Sequence, residues 1–328
     1  MRIAILDDYQ NVALGYADWK SLPGSPEVTV FTDHIARHEL LAATLRPFDV
    51  IVAMRERTAF TASLLALLPD LKLLVTTGMG NAAIDMDAAR ERAITVCGTN
   101  GVTEATAELT WGLILALVRH IPEEDRRMRE SAGAGGAAMS VRGGWQRTIG
   151  MDLHGRRLGV AGLGRQGRQV ARYGQAFGME VLAWSQNLDP DQAREAGAEP
   201  VSKEQLFARS DVVSVHYKLS PRSTGLIGAA EFALMKPTAY LVNTSRGPIV
   251  DHDALVAALR GGQIAGAALD VYDTEPLPLG DPLRSVPNTV LTPHVGYVTD
   301  ETYQVFYCDA VADIAAYIKG DPVRVLNG

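Results

Sequence analysis

Leu158-Gly-Val-Ala-Gly162-Leu-Gly164-Arg-Gln-Gly167 joins an apolar strand pattern to a helical pattern over residues 168–177. Its GxGxxG spacing decides the fold. The first glycine permits a tight turn, the second lets a pyrophosphate approach the backbone, and the third lets helix and strand pack closely. The helix N-terminus then offers free N–H groups and positive dipole to phosphates. Working outward, further strand patterns lie at residues 158–162, 181–184, 212–216, 240–243, 267–271 and 289–291, with helical stretches between them. Six such strands make a doubly wound Rossmann unit. Upstream, strand patterns at 2–6, 28–32, 49–53, 71–77 and 94–97 alternate with helical ones at 34–45 and 61–68, which implies a second parallel sheet. One long helical pattern runs from 103 to 129, and a Gly/Ala/Ser-rich stretch follows at 131–140. A last helical pattern, 300–318, comes after the final strand and is expected to return to the first sheet. The fold class expected is therefore α/β: a dinucleotide-binding Rossmann domain, 101–294, inserted into a smaller flavodoxin-like substrate domain, 1–100 plus 295–328.

The 328 residues are 47% hydrophobic and 21% charged, a globular composition, with a formal net charge of -7. An acidic surface repels nucleic acid and anionic membranes, so neither is an expected partner. The strongest apolar run, 109–118, is too short to span a bilayer. The two cysteines, Cys97 and Cys308, stand far apart and form no metal-binding pattern. The first residues, Met1-Arg-Ile-Ala-Ile-Leu-Asp-Asp, turn acidic at once and carry no cleavage-site pattern, so a cytoplasmic location is expected.

Chemistry concentrates where three successive strands end. Asn243-Thr-Ser-Arg246-Gly places Arg246 just past one strand, where open α/β sheets bind ligands and a guanidinium can grip a carboxylate bidentately. Leu269-Asp270-Val-Tyr-Asp-Thr-Glu275-Pro follows the next strand, and Thr-Pro293-His294-Val-Gly296 the one after. An imidazole bonded to a buried carboxylate keeps one tautomer and can pass a proton to and from a carbonyl oxygen. In the first domain, Thr76-Thr-Gly78-Met79-Gly80 offers backbone N–H groups as a nest for a substrate carboxylate. Arg55, Arg57, Asp8, Tyr9 and Tyr297 are further candidates to shape that pocket, with at least one of the two arginines expected to be exposed or salt-bridged. The acid that normally reads a ribose is missing. Strand 181–184 ends in Ser185-Gln186-Asn187, so a 2′-phosphate is not repelled, and Arg165 or Lys218 is placed to neutralise it.

With Thr77-Gly-Met-Gly80 and Ala107-Glu108-Leu109, these motifs resemble the D-isomer-specific 2-hydroxyacid dehydrogenases over nearly the whole chain. The resemblance implies NAD(H) or NADP(H) as cofactor and a small anionic 2-oxoacid or D-2-hydroxyacid as substrate. It implies Arg246 as substrate clamp, His294 as acid/base and Glu275 as its partner. Cofactor contacts are implied for Gly162, Gly164, Arg165, Gln166, Gly167, Ser185, Gln186, Thr244, Asp270 and Gly296, and substrate contacts for Gly78, Met79, Gly80 and Arg246; no metal is implied. His216-Tyr-Lys218-Leu219 departs from the His-x-Pro-Leu usual in the family. Family members commonly pair through the nucleotide domain, so a homodimer is expected, with 103–129 and the Gly/Ala stretch at its interface. The rival reading is a nucleotide-sensing, corepressor-like binding protein on the same scaffold.

Overall fold

The computed structural model describes residues 1–131 and 145–328. Apart from the backbone of Ser131, the Gly/Ala/Ser-rich stretch at 131–140 lies outside the described residues. The chain divides into two compact units, Met1–Val102 with Val298–Gly328, and Thr103–Tyr297.

In the first unit, β1 (Arg2–Ile5), β2 (Glu27–Val30), β3 (Val50–Ala53), β4 (Leu73–Thr76) and β5 (Thr95–Gly98) form a parallel sheet in the order β2-β1-β3-β4-β5. Helices α1 (Ala13–Tyr16), α2 (His38–Leu45), α3 (Ala62–Leu65) and α4 (Met86–Glu91) connect them. Ala4, Ile51, Leu74 and Val96 point to one face, and Leu41, Leu45 and Leu64 cover it. A full burial of each such Val, Leu or Ile side chain contributes about 1.5–3 kcal/mol, which is why these strands read as continuous apolar runs. α2 starts four residues later than the 34–45 pattern, because His34 Nδ1 is bonded to Asp7 Oδ1 at 3.0 Å and stays outside the helix.

The second unit begins with α5 (Glu104–Val118) and α6 (Ile121–Ser131), where one continuous helix was expected. The break follows from Pro122, which has no N–H for the carbonyl of Val118 and whose ring would clash with it. His120 turns left-handed at φ 52°, and the Val118 carbonyl accepts Met151 N–H at 2.9 Å instead. Then come β6 (Arg157–Ala161), α7 (Arg165–Ala176), β7 (Glu180–Trp184), α8 (Pro190–Glu195), β8 (Glu199–Pro200), α9 (Lys203–Arg209) and β9 (Val212–Val215). They are followed by α10 (Ala229–Leu234), β10 (Tyr240–Asn243), α11 (His252–Arg260), β11 (Gly266–Leu269) and β12 (Thr289–Leu291). The described residues form a seven-stranded sheet, β12-β11-β10-β9-β6-β7-β8, where six strands were expected. The added strand is the two-residue β8, whose Pro200 sits at the sheet edge where no ladder donor is needed. Alternate residues feed cores on opposite faces: Val213, Leu241 and Leu269 on one, Val212, Val242 and Ala268 on the other. This is a doubly wound Rossmann sheet, and the first unit has the flavodoxin-like strand order.

The chain returns to the first unit with α12 (Asp300–Ile318), whose contacts fall on α1 and β4. The last residues then line the outer edge of β5. Cys97 bridges Val325, Leu326 N–H meets the Val96 carbonyl at 2.8 Å, and Asn327 bonds both Val96 N–H and the Ile94 carbonyl. Among the described residues, no helix is long and apolar enough to cross a membrane, and no group of His, Cys, Asp or Glu is arranged to hold a metal ion.

Candidate active site

The strand register aligns the ends of six strands. Trp184 pairs with Ala161, Ala161 with Val215, Val215 with Asn243, Asn243 with Leu269, and Leu269 with Leu291. Neighbouring ends are about 4.8 Å apart, so every site segment in this unit leaves from one level row. The strand order reverses between β6 and β9, and ligands of open α/β sheets bind at that point.

The glycine turn sits there. Gly162 has φ 98°, and a Cβ on it would lie 2.7 Å from the His216 carbonyl oxygen. A Cβ on Gly167 would lie 2.0 Å from the Gly162 carbonyl oxygen, so this position must stay bare for α7 to reach the turn. Gly164 faces open space, with nothing within 4 Å of its Cβ position. It caps the twelve-residue α7 without a side-chain bond, and no acid stands in the first turn. Free N–H groups, positive dipole and bare backbone together fit a dinucleotide pyrophosphate. Helix α7 starts at Arg165, three residues earlier than its sequence pattern, because the turn itself supplies the first helical residues. Arg165 and Gln166 therefore stand on its first turn, and Arg165 reaches Thr103 Oγ1 at 3.3 Å.

At the end of β7, Gln186 N–H donates to the Tyr217 hydroxyl at 2.8 Å, and the Tyr217 ring leans on Trp184 with centroids 5.6 Å apart. Burial pushes the Tyr217 phenol above its ordinary range, so it stays neutral. Ser185, Gln186 and Tyr217 thus meet where a ribose-reading acid would stand. Asp189, the next carboxylate along the chain, caps α8 by accepting Asp191 N–H at 2.9 Å. Glu180, at the other end of β7, pairs with Arg157 at 2.8 Å. Lys218 is exposed and has no ion pair among the described residues.

His294 Nδ1 and Glu275 Oε2 are 2.6 Å apart, and Glu275 Oε1 accepts Tyr272 N–H at 2.9 Å. Since the carboxylate accepts, Nδ1 carries the proton of this bond, and Nε2 has no partner among the described residues. The expected buried carboxylate is a correction: the Glu275 side chain is 32% exposed, because it lies on a loop rather than against the sheet. Asp270 is the buried one. It is 1% exposed, and its oxygens accept the Thr292 hydroxyl at 2.6 Å and the N–H groups of Val295 and Gly296 at 2.8 Å each. Burial pushes its carboxyl above the ordinary range, while these bonds and the nearby His294 pull it back. Asp270 therefore pins the 292–296 turn in which His294 takes φ 54°. Tyr297 stands edge-on to His294, with ring centroids 5.6 Å apart.

Arg246 lies in extended backbone past β10, and its guanidinium donates to the Ser245 carbonyl at 2.7 Å. Asn243 fixes this turn by donating to the Arg246 carbonyl at 2.9 Å and accepting Ser245 N–H at 3.0 Å. Gly247 explains why a glycine follows the arginine. Its Cβ would lie 2.1 Å from the Tyr272 carbonyl carbon, so only glycine lets the Arg246 turn lie against the chain leading to Glu275.

Helix α5 supplies residues that the sequence motifs did not single out. Thr110 donates to the Thr106 carbonyl at 2.7 Å, so in its 2.8 Å contact with Thr244 the Thr244 hydroxyl is the donor. Thr244 then offers only lone pairs to other groups. Thr106 donates to the Gly296 carbonyl at 3.0 Å, which leaves Gly296 bonded through both its backbone groups. No local pattern marks Thr106 or Thr110, since the partners that tie them to the site, Gly296 and Thr244, lie more than a hundred residues away.

In the first unit, the expected nest needs a correction. Gly78 N–H is already given to Thr99 Oγ1 at 2.8 Å, so it is not available to a substrate. The N–H groups of Met79 and Gly80 have no partner among the described residues. Gly78 has φ 92°, and its bare Cα is covered by the Arg55 guanidinium, which donates to the Thr77 carbonyl at 3.0 Å. Arg57 donates to the Asp7 carbonyl at 2.6 Å and lies over the Tyr9 ring. Both arginines are half-buried, and Arg55 also lies 3.6 Å from Glu56. Asp8 is fully buried and accepts the N–H groups of Val12 and Ala13, so it does not line a pocket.

Comparison with known proteins bears on the same residues. The model of the D-isomer specific 2-hydroxyacid dehydrogenase, NAD binding domain, matches residues 111–296. A glyoxylate reductase of Aeropyrum pernix is 40% identical over 294 residues, covering 88% of this chain and 86% of the relative. A phosphoglycerate oxidoreductase structure from Vibrio cholerae superposes with a TM-score of 0.88 at 37% identity, covering 98% of this chain and 99% of that one. A D-lactate dehydrogenase of Aquifex aeolicus, complexed with NAD and lactic acid, has a TM-score of 0.78 at 27% identity over 99% of both chains.

Proposed function

This chain belongs to the D-isomer specific 2-hydroxyacid dehydrogenases, and from that premise we propose how its own residues carry the reaction. It is an NAD(P)-dependent oxidoreductase of CH–OH donors, interconverting a small 2-oxoacid and its D-2-hydroxyacid. The observation that carries the site assignment is the 2.6 Å His294–Glu275 bond, on the same row of strand ends as Arg246 and the glycine turn. Gly162, Gly164, Arg165, Gln166 and Gly167 hold the pyrophosphate, Ser185 and Gln186 meet the adenosine ribose, and Thr244, Asp270 and Gly296 border the nicotinamide. We assign the dinucleotide domain, expected at 101–294, to the unit Thr103–Tyr297, and the substrate domain, expected at 1–100 with 295–328, to Met1–Val102 with Val298–Gly328.

When bound, the nicotinamide supplies the hydride in reduction and takes it in oxidation. Arg246 grips the substrate carboxylate and polarises the adjacent carbonyl. Within the first unit, the N–H groups of Met79 and Gly80, on the turn that Gly78 supplies, are the donors offered to a carboxylate oxygen. His294 gives its Nε2 proton to the carbonyl oxygen as the carbon is reduced, and takes it back in the reverse direction. Glu275 keeps the Nδ1 proton in place throughout, so a single tautomer serves both directions.

The relative that reduces glyoxylate suggests the smallest 2-oxoacid as first substrate. A panel of 2-oxoacids beginning with glyoxylate, with NADH and NADPH absorbance followed in parallel, tests the reading. Turnover that depends on the 2-oxoacid is expected, and no turnover with either cofactor across the panel overturns it. With Ser185, Gln186 and a neutral Tyr217 at the ribose and Lys218 beside them, kcat/KM with NADPH is expected to equal or exceed that with NADH. A strong preference for NADH sinks that part alone. A homodimer in the cytoplasm completes the proposal. Sedimentation at the monomer mass counts against the dimer.

A further inference from the structure

The loop carrying Glu275 leaves β11 after Leu269 and returns at Asp281, which caps the short 3-10 turn Pro282–Ser285 by accepting Leu283 N–H at 2.9 Å. Its outgoing leg is fixed, since Gly247 lets Tyr272 and Asp273 press against the Arg246 turn. Its returning leg is not packed in that way. A groove of about 460 Å³ separates it from the turn after Arg246, with Pro248, Val250 and His252 on one wall and Leu277, Pro278 and Asp281 on the other. Leu277 on that leg is only partly buried where it packs on the core that holds Val250 and Leu283, so apolar contact leaves the rest of the leg unanchored across the groove. A polar bridge spans it: His252 Nε2 to Asp281 Oδ1, at 3.1 Å.

His252 is an odd residue for its place. It opens α11, where a cation opposes the helix dipole, yet both ring nitrogens face carboxylates, Nδ1 meeting Asp253 at 3.0 Å. Carboxylates only accept, so both bonds are made only by the imidazolium. We propose that His252, bridged to Asp281 across this groove, is a positioning residue. It holds the returning leg of the Glu275 loop against the turn that carries Arg246, and so keeps Glu275 on His294. The inference rests on the catalytic roles proposed above for those three residues.

The charges facing His252 give the bridge a pH dependence. Asp251, Asp253, Asp273 and Asp281 all line the groove, and among the described residues lining it His252 is the one cationic side chain. Arg284, on the returning leg, donates to the carbonyls of Leu277 and Pro278. Burial works against the charged imidazole, but the bonds to Asp253 and Asp281 outweigh it and hold its pKa above the usual value. The bridge is therefore complete below an ordinary imidazole pKa of about 6.5 and weakens as pH rises through the raised one. Loss of the proton leaves four carboxylates facing a neutral ring.

The test compares the full-length wild type with His252→Ala and His252→Gln, using the best 2-oxoacid of the panel across that pH range. In His252→Ala, kcat falls about tenfold, a loss of about 1.4 kcal/mol in transition-state stabilisation, while KM for the cofactor holds. In His252→Gln, whose amide donates to Asp281 but carries no charge, kcat recovers only to the level that the wild type keeps above the raised imidazole pKa, and one alkaline ionisation disappears from its profile. Amide exchange across 272–281, read at a single pH, is faster in the alanine variant. Wild-type kcat and pH profile in His252→Ala, or unchanged exchange in that loop, overturns the proposal. If the alanine variant does not fold, a wild-type pH profile in His252→Gln overturns it alone. A wild type that reduces no 2-oxoacid refutes the reading of function instead, and the exchange measurement still decides the bridge.

Discussion

Replacing His294 with alanine lowers kcat by roughly 10²- to 10⁴-fold, the range expected for a lost general acid–base, while the Kd for reduced cofactor stays near that of the parent. The reason is geometric. The imidazole meets the rest of the protein through the Nδ1–Glu275 bond and the edge of Tyr297, and its turn is held by Asp270 through three hydrogen bonds that do not involve the ring. Removing the ring therefore leaves the 292–296 turn and the glycine loop in place. Glu275→Gln is the companion change. It removes the charge and leaves the reach, so its loss of turnover is smaller than that of the alanine variant. Stopped-flow turnover and fluorescence titration of cofactor separate the two effects, and a His294→Ala protein of undiminished kcat would falsify the assignment.

The second large effect comes from two glycines of one motif that respond in opposite ways. At Gly167 a methyl group meets the Gly162 carbonyl at 2.0 Å, and backbone on both sides leaves nothing to yield. Overpacking of this kind costs roughly 1–3 kcal/mol or more, so Gly167→Ala lowers the melting temperature by several degrees and the folded yield with it. At Gly164 the methyl group meets nothing within 4 Å, and φ -76° suits any L residue. Gly164→Ala therefore melts like the parent, yet it places a methyl where the pyrophosphate approaches the helix and raises the Kd for cofactor. Thermal melts beside cofactor titrations read both outcomes. Unchanged cofactor affinity in Gly164→Ala would remove the pyrophosphate from this turn.

The parts legible in the sequence were those coded by neighbours along the chain. Runs of β-branched and aliphatic residues placed β10 at Tyr240–Asn243 and β12 at Thr289–Leu291, and a helical period placed the closing helix at Asp300–Ile318, residue for residue. Glycine spacing located the turn after β6. Elements governed by distant partners were not legible. The start of α2 depends on His34 meeting Asp7, and the end of α5 on Met151 taking the carbonyl that Pro122 cannot serve. β8 is too short for any period to show, and its pairing depends on β7. At the site, strand-end positions could be named one by one, but their supports are nonlocal. Asp270 reads as a cofactor neighbour, yet its bonds show it organising the His294 turn. Gly247 reads as a turn residue, yet its need is the approach of Tyr272. Gly78 reads as an N–H donor until Thr99, on the neighbouring chain segment, takes that hydrogen.

The edge of β5 is closed by the last residues of the chain, with Asn327 bonded to Val96 from 231 positions away. During translation at about 5–20 residues per second, that edge waits on the order of 10 to 50 s for its cover. The inserted unit, complete at Tyr297, emerges whole in the interval and is free to collapse first. A nascent chain of this enzyme therefore carries an open strand edge in that interval, a ready template for pairing with another chain. Chaperone demand should concentrate there until Asn327 has emerged.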